Sequence, residues 1–259
     1  MGIEALPFVN WIFWATLTSG SLLVVGGTEL LGGTTRGYRL FMAALLTACA
    51  AILLVSELNL VPTQVTDDTA GLRRGLVWAF AALVGAYLVA SIARLPRSGL
   101  AIAAGAAGIM ALAALAAAGG TLSAPLFMAQ LILAALALGA VNAAMLLGHW
   151  YLVTPKLSPT PLRRMMWLLL ISLALQGMAF GVAVLVVSSG PLGGPIGWLT
   201  WLRLIVGILL PIGVTVLAIL ASRAASLQAS TGLLYIGLAL VMAGSIAGAS
   251  LAYWTGVPV

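Results

Sequence analysis

The sequence predicts an all-α integral membrane protein, a single polytopic domain over residues 1–259 made of about eight transmembrane helices in one bundle. Three observations predict it. Hydrophobic residues make up 63% of the chain and charged residues 6%, with a mean hydropathy of +1.20. Apolar runs recur at a length that crosses a bilayer, and short Pro-, Gly- or Arg-bearing breaks divide them. A soluble domain of 259 residues would carry several times more charge to cover its surface.

A spanning helix takes about 20 apolar residues to cross a ~30 Å hydrocarbon core. The spans are expected over 8–31, 40–58, 75–94, 99–119, 126–152, 165–189, 198–222 and 230–254. "GGTTRGYR" ends the first with paired glycines and charge. "LVPTQVTDDTAGLRR" is the longest polar connection and separates the second from the third. "LPRSG", "TPKLSPTPLRR" and "SSGPLGGPIG" combine residues that a continuous helix does not tolerate. The break at "AGGTLSAP" carries no charge, but the run from 99 to 152 is too long for one span. In "AIAAGAAGIMALAALAAAGG" the small residues let helix backbones approach closely, so the fourth span is expected among its neighbours.

Orientation follows from the basic residues. Arg36, Arg39, Arg94, Arg97, Lys156, Arg163, Arg164 and Arg223 fall in or beside the connections 1–2, 3–4, 5–6 and 7–8. Only Arg73, Arg74 and Arg203 fall at the other end, with Asp67 and Asp68 beside the first two. The positive-inside rule then places both termini outside the cytoplasm, and the expected location is a bacterial-type inner (plasma) membrane, crossed many times. Trp11, Trp14, Trp198, Trp201, Tyr253 and Trp254 would form the outer aromatic belt, with Trp150, Tyr151 and Tyr38 in the inner one. The start, "MGIEALPFVNWIFW", lacks a basic leader region and a small-residue cleavage site, and reads as mature protein inserted by its first helix.

The net charge of +6 is scattered between apolar runs, which argues against nucleic acid as a partner and for anionic headgroups of the lipid bilayer. Cys49 is the single cysteine, so disulfides and thiolate metal sites are excluded. One histidine cannot supply both axial ligands of a bis-histidine haem, and five acidic residues, mostly in loops, do not build a hydrolytic metal centre. No haem or metal is expected from this chain alone.

Polar groups inside a bilayer are costly, so each is a candidate for function. Glu29 lies near the cytoplasmic end of the first span, either pairing with Arg36 or Arg39 or handling a proton or headgroup. Asn142, Met145 and His149 share one helical face of the fifth span, which suits a polar crevice open to the cytoplasm. An imidazole there would donate to a quinone carbonyl or relay a proton; beside Trp150 and Tyr151 it is equally an interfacial residue. Arg203 sits about 8 Å deep by helical rise, where it either snorkels outward among Trp198 and Trp201 or pairs with Glu57 or a bound anion. Pro211 should kink the seventh span and free a carbonyl that a neighbour must satisfy. Gln176 lies in mid-span without an obvious partner. Gln130, Asn10, Thr16, Thr18, Ser19 and Ser21 add polar groups to the outer halves of spans one and five. "SLQASTGLLY", with Gln228, Ser230 and Thr231, opens the last span as a cap or a headgroup pocket.

Two halves of four spans each would share orientation, with Glu29 and His149 in corresponding places, each followed by a basic loop. This makes a four-plus-four parallel repeat the expected internal organisation. "FWATLTSGSLLVVGGTELLGGTTRGYR" resembles the first helix and basic turn of the eight-helix membrane-anchor subunits of polysulfide- and DMSO-reductase-type respiratory complexes. "RLIVGILLPIGVTVLAILASR" is similar to their Gly-x-x-x-Pro seventh helix, and the rest matches in hydropathy and helix count. The resemblance implies a haem-free quinone site, with Glu29 and Arg36 as counterparts, and a soluble iron–sulfur partner.

The first expectation is therefore a haem-free integral subunit of a respiratory or electron-transfer complex that contacts quinone in the bilayer. Glu29, Arg36, Asn142 and His149 would bind or flank the quinone, and other membrane or peripheral redox subunits would be its partners. One alternative is a small polytopic transporter or permease with Gln176 and Arg203 along a polar path. The other is a structural or assembly subunit without a site of its own.

Overall fold

Each span ends where the chain can no longer continue a helix. Helix α1 (Leu6–Leu31) stops at Gly32 and Gly33, whose φ values of 73° and 97° lie in the region that glycine alone enters freely. Thr35 then caps α2 (Arg36–Leu58) by accepting a hydrogen bond from the Tyr38 backbone N–H. The remaining spans are α3 (Asp67–Ala93), α4 (Ser98–Ala118), α5 (Ala124–Val153), α6 (Thr160–Val182), α7 (Gly197–Arg223) and α8 (Leu227–Thr255). A computed structural model describes residues 5–60, 67–118, 124–154, 157–187 and 192–256 of the chain, and no strand occurs among them.

Eight helices are thus long and apolar enough to cross a membrane, as the hydropathy predicts, and the chain is a multi-pass helical membrane protein. Most bounds agree to within a few residues. The third span differs most, because its helix begins at Asp67 rather than near 75 and takes Arg73 and Arg74 into its first turns. The breaks at 61–66 and 119–123, and Lys156, lie outside the described residues. At the start of α8 the expected side-chain cap is absent: Ser226 holds the cap position without a cap bond, and Thr231 bonds the Leu227 carbonyl instead.

Two π turns interrupt the α-helical ladder, at Ala183–Val187 after α6 and at Ile205–Leu209 within α7. The second immediately precedes Pro211, which has no N–H and crowds the carbonyl four residues back; the wide turn accommodates that defect.

Neighbour order divides the bundle in two. Helices α1, α2, α3 and α4 close one ring of four, and α5, α6, α7 and α8 close another. The rings meet chiefly where α1 lies along α5. These are the two most enclosed spans, with 78% and 72% of their apolar windows buried, against at most 56% elsewhere. Gly20 and Gly139 explain the closeness. A Cβ on Gly20 would overlap the Ala135 carbonyl, and one on Gly139 would overlap the backbone of Gly20. On the other flank of α1, Gly105 and Gly108 of α4 pack against Leu23 and Ser19, which places α4 among its neighbours as its small residues predict.

Helix α1 also buries hydroxyls. Thr16, Thr18 and Thr28 each donate to the carbonyl four residues earlier, so these groups enter the interior with their donors satisfied. Large apolar side chains such as Val89, Met178 and Leu217 cover the outer faces, as suits contact with lipid chains.

Candidate functional site

The four residues first expected to share a site occupy four separate settings. Glu29, at the end of α1, accepts a hydrogen bond from the Tyr87 hydroxyl at 3.0 Å and lies 3.3 Å from Arg97. It therefore ties the end of α1 to α3 and to the α3–α4 connection rather than pairing with Arg36 or Arg39. Arg36 is exposed at the start of α2. Asn142 is buried and donates to Ser21 at 3.0 Å, a cross-link beside the Gly20–Gly139 contact. His149 is exposed, with its Nδ1 3.2 Å from the Tyr235 hydroxyl and the two rings edge-on at 87°. Among the described residues no hydrogen bond or ion pair joins any of these four to another.

Charge is buried at the opposite ends of the helices. Glu57, only 2% exposed near the end of α2, takes a bidentate pair from Arg73 of α3: Nη2 donates to Oε1 at 2.8 Å and Nε to Oε2 at 3.2 Å. Trp11 of α1 donates its indole N–H to the same carboxylate at 2.7 Å, and its ring lies 5.8 Å from the Arg73 guanidinium. Fork-to-fork pairing of this kind is the strongest geometry that an arginine offers a carboxylate. Two expectations are corrected here. Glu57 does not pair with Arg203, and Trp11 is fully buried as a hydrogen-bond donor rather than standing in the aromatic belt. Tyr38 is likewise buried, its hydroxyl donating to the Ala143 carbonyl. Trp198 and Trp201 are exposed, as a belt requires.

Arg203 occupies a similar depth in α7. It is 3% exposed, so it does not snorkel, and its Nη2 donates to Oε1 of Gln176 in α6 at 2.8 Å. The two members of the expected polar path are thus in direct contact, and Gln176 acquires the partner that its sequence position does not reveal. Gln176 carries no charge. Glu29 and Glu57, the carboxylates whose side chains are described, are engaged elsewhere, by Arg97 and by Arg73. Arg203 Nε has no hydrogen-bond partner among the described residues.

Beside Arg203 lies a cavity of about 30 Å³ between α1, α5, α7 and α8. That volume exceeds what one water occupies, for which ~10–15 Å³ suffices. Its polar wall consists of Arg203, Thr16, Gln130 and Ser245, while Gly248 and Ala134 keep the remainder low and apolar. Gln130 is 5% exposed, and neither its Nε2 nor its Oε1 has a partner among the described residues. Buried amides are normally paired, so an empty pair of this kind marks a place where a ligand or water belongs. Close contact of Gly207 with Gly244 sets α7 against α8 just below the cavity, and this contact tolerates no Cβ on either side.

The sequence flags Gln130, Thr16 and Arg203 one at a time and does not join them. A matching depth was legible: Gln130 is the sixth residue after the start of α5, and Arg203 the sixth after the start of α7. That the two helices face a common space is settled only by packing.

A buried guanidinium with an open N–H, an unpaired amide and apolar walls can hold an oxygen acceptor on a small or apolar body. The class so defined is a multi-pass helical membrane protein with a donor-lined cavity between two sets of four helices. No protein-family model, curated protein or solved structure matches the chain.

Proposed function

We propose that the chain is a small polytopic permease that binds its substrate in the cavity between its two four-helix halves. The observation that carries this is Arg203, buried in the membrane-spanning region against the neutral Gln176 and facing a cavity walled by both halves. An intramembrane charge without an internal counter-charge is expensive, and sites for substrate are where such charges persist. The ring-by-ring neighbour order and the matched placement of Arg73 and Arg203, each six residues after its helix start, support a four-plus-four parallel repeat. The distribution of arginines supports placing the termini and the cavity on the non-cytoplasmic side of a bacterial-type inner membrane. Flux of labelled acetate, phosphate and chloride into vesicles that contain the purified protein tests the proposal. Wild type should carry at least one of them above empty vesicles, with Arg203→Gln reduced at least to a tenth. Equal flux in both proteins, or none, removes the permease.

A second reading keeps the quinone. Arg203 and Gln130 both line the cavity and hold N–H donors without partners among the described residues, in apolar surroundings that suit the carbonyl of a quinone head group. On this reading the protein is the haem-free membrane subunit of an electron-transfer complex, and its contact lies at Arg203 rather than at Glu29 and His149. A native complex purified with stoichiometric quinone and a redox partner supports it. Purification as a lone protein free of quinone sinks it.

A further inference from the structure

We propose that the cavity beside Arg203 is a carboxylate site, in which a ligand carboxylate fills the role that Glu57 fills beside Arg73. This inference deepens the permease reading by naming the class of substrate, but it concerns binding and stands without flux.

The two arginines use the same edge of the guanidinium. In Arg73, Nη2 and Nε each hold one oxygen of Glu57, so this edge of the guanidinium is filled by an opposite charge. Its Nη1 has no partner among the described residues, and Arg74 Nε lies 3.9 Å from the same carboxylate. In Arg203, Nη2 holds the single amide oxygen of Gln176 and Nε is left open. Half the fork is engaged and the charge is unmatched among the described residues. Gln130 adds a second unpartnered donor, its Nε2, on the same cavity wall. A carboxylate has two oxygens in a plane, carries the single negative charge that balances one guanidinium, and accepts from several donors at once. Phosphate would bring more negative charge and volume than the site balances, and chloride would gain nothing from the planar fork. The rest of the wall, Gly248 and Ala134 with neighbouring aliphatic groups, suits a short alkyl body or the head of an acyl chain.

The chemistry therefore fits a free short-chain carboxylate and a fatty-acid headgroup alike, and the test separates them. Full-length protein in nanodiscs of neutral lipid is melted at pH 7 and constant ionic strength with acetate, decanoate, phosphate, chloride or decylubiquinone. A saturable rise in melting temperature is expected with a carboxylate and not with phosphate or chloride. A rise with acetate identifies a soluble source, and one with decanoate alone identifies a membrane source. Arg203→Gln should weaken carboxylate binding about thirtyfold or more, the scale of losing one partner of a buried charge pair. Gln176→Glu, which supplies a carboxylate from within, should abolish the rise while keeping the ligand-free protein at least as stable as wild type. That second variant guards against a loss that merely reflects misfolding of Arg203→Gln.

The proposal is overturned if no carboxylate raises the melting temperature, or if phosphate, chloride or the neutral quinone raises it as much. Retention of the rise in both variants overturns it too. Carboxylate binding without flux removes the permease and keeps the site, whereas Arg203-dependent flux of phosphate or chloride without carboxylate binding does the reverse.

Discussion

Two arginines, one in each ring of four helices, enter the apolar interior at the same distance from the start of their helices and meet opposite surroundings. Arg73 meets an opposite charge: a carboxylate grips its fork, an indole N–H steadies that carboxylate, and an aromatic ring covers the guanidinium, with Nη1 left unpartnered among the described residues. Arg203 is left half engaged by a neutral amide and faces a cavity. A buried charge held by an opposite charge is structure. A buried charge held only by a neutral amide is poised for something else. Burial alone would not separate these residues, which are both 3% exposed; partners do.

The comparison can be broken by exchanging partners. Glu57→Gln makes the first ring a copy of the second, without a cavity to admit a ligand, and strands the Arg73 charge. A loss of about 3–5 kcal/mol is expected, the scale of breaking a buried pair, and would be read from reversible unfolding in mixed micelles. If the loss is under about 1 kcal/mol, the Glu57–Arg73 pair behaves as a surface contact and the contrast between the rings fails. Next in size is Gly139→Val, whose side chain has nowhere to go but into Gly20. About 1–3 kcal/mol of overpacking is expected, accompanied by loosening of the α1–α5 contact in cross-linking. Gly248→Leu acts on the other side of the comparison, filling the cavity while leaving Arg203 in place. Carboxylate binding should disappear at a cost in stability of about 1–3 kcal/mol at most, the scale of adding side-chain volume to a packed interior. The smallest effect belongs to His149→Ala. This residue is exposed, and its hydrogen-bond and ring contacts among the described residues are with Tyr235. A change within about 0.5 kcal/mol and unaltered binding are expected; impaired binding would return attention to the Glu29 end.

Much of the fold was legible because hydropathy and helix breakers act locally. Gly32–Gly33 and Pro161 mark helix boundaries, and Pro211 a mid-span irregularity, from the local sequence alone. The start of α3 was not, because Arg73 reads as a loop residue until Glu57 is seen beside it: neutralisation lets a charge continue a span, and the partner lies 16 residues away on another helix. The same limit applied to the site. Depth along each helix could be counted, which singled out Arg203, Gln176, Asn142 and His149. Rotation about each helix decides what a residue faces, and neighbours set that rotation. Asn142 and His149 do share a face of α5, yet one meets α1 and the other α8. Gln130 looked like one polar residue among several in the outer halves of spans one and five. It became part of a site only when α5, α7 and α8 were seen to enclose the same space.

Arg203 lacks, among the described side chains, a carboxylate of the kind that the molecule supplies to Arg73. The melting temperature of Gln176→Glu in neutral-lipid nanodiscs free of added carboxylate measures this most directly. The structure predicts a value equal to or above that of wild type, because the new carboxylate completes the fork as Glu57 does, with no further rise on adding acetate or decanoate. A fall of several degrees, with a wild-type response to either ligand, would show that Arg203 was already balanced and would contradict the account.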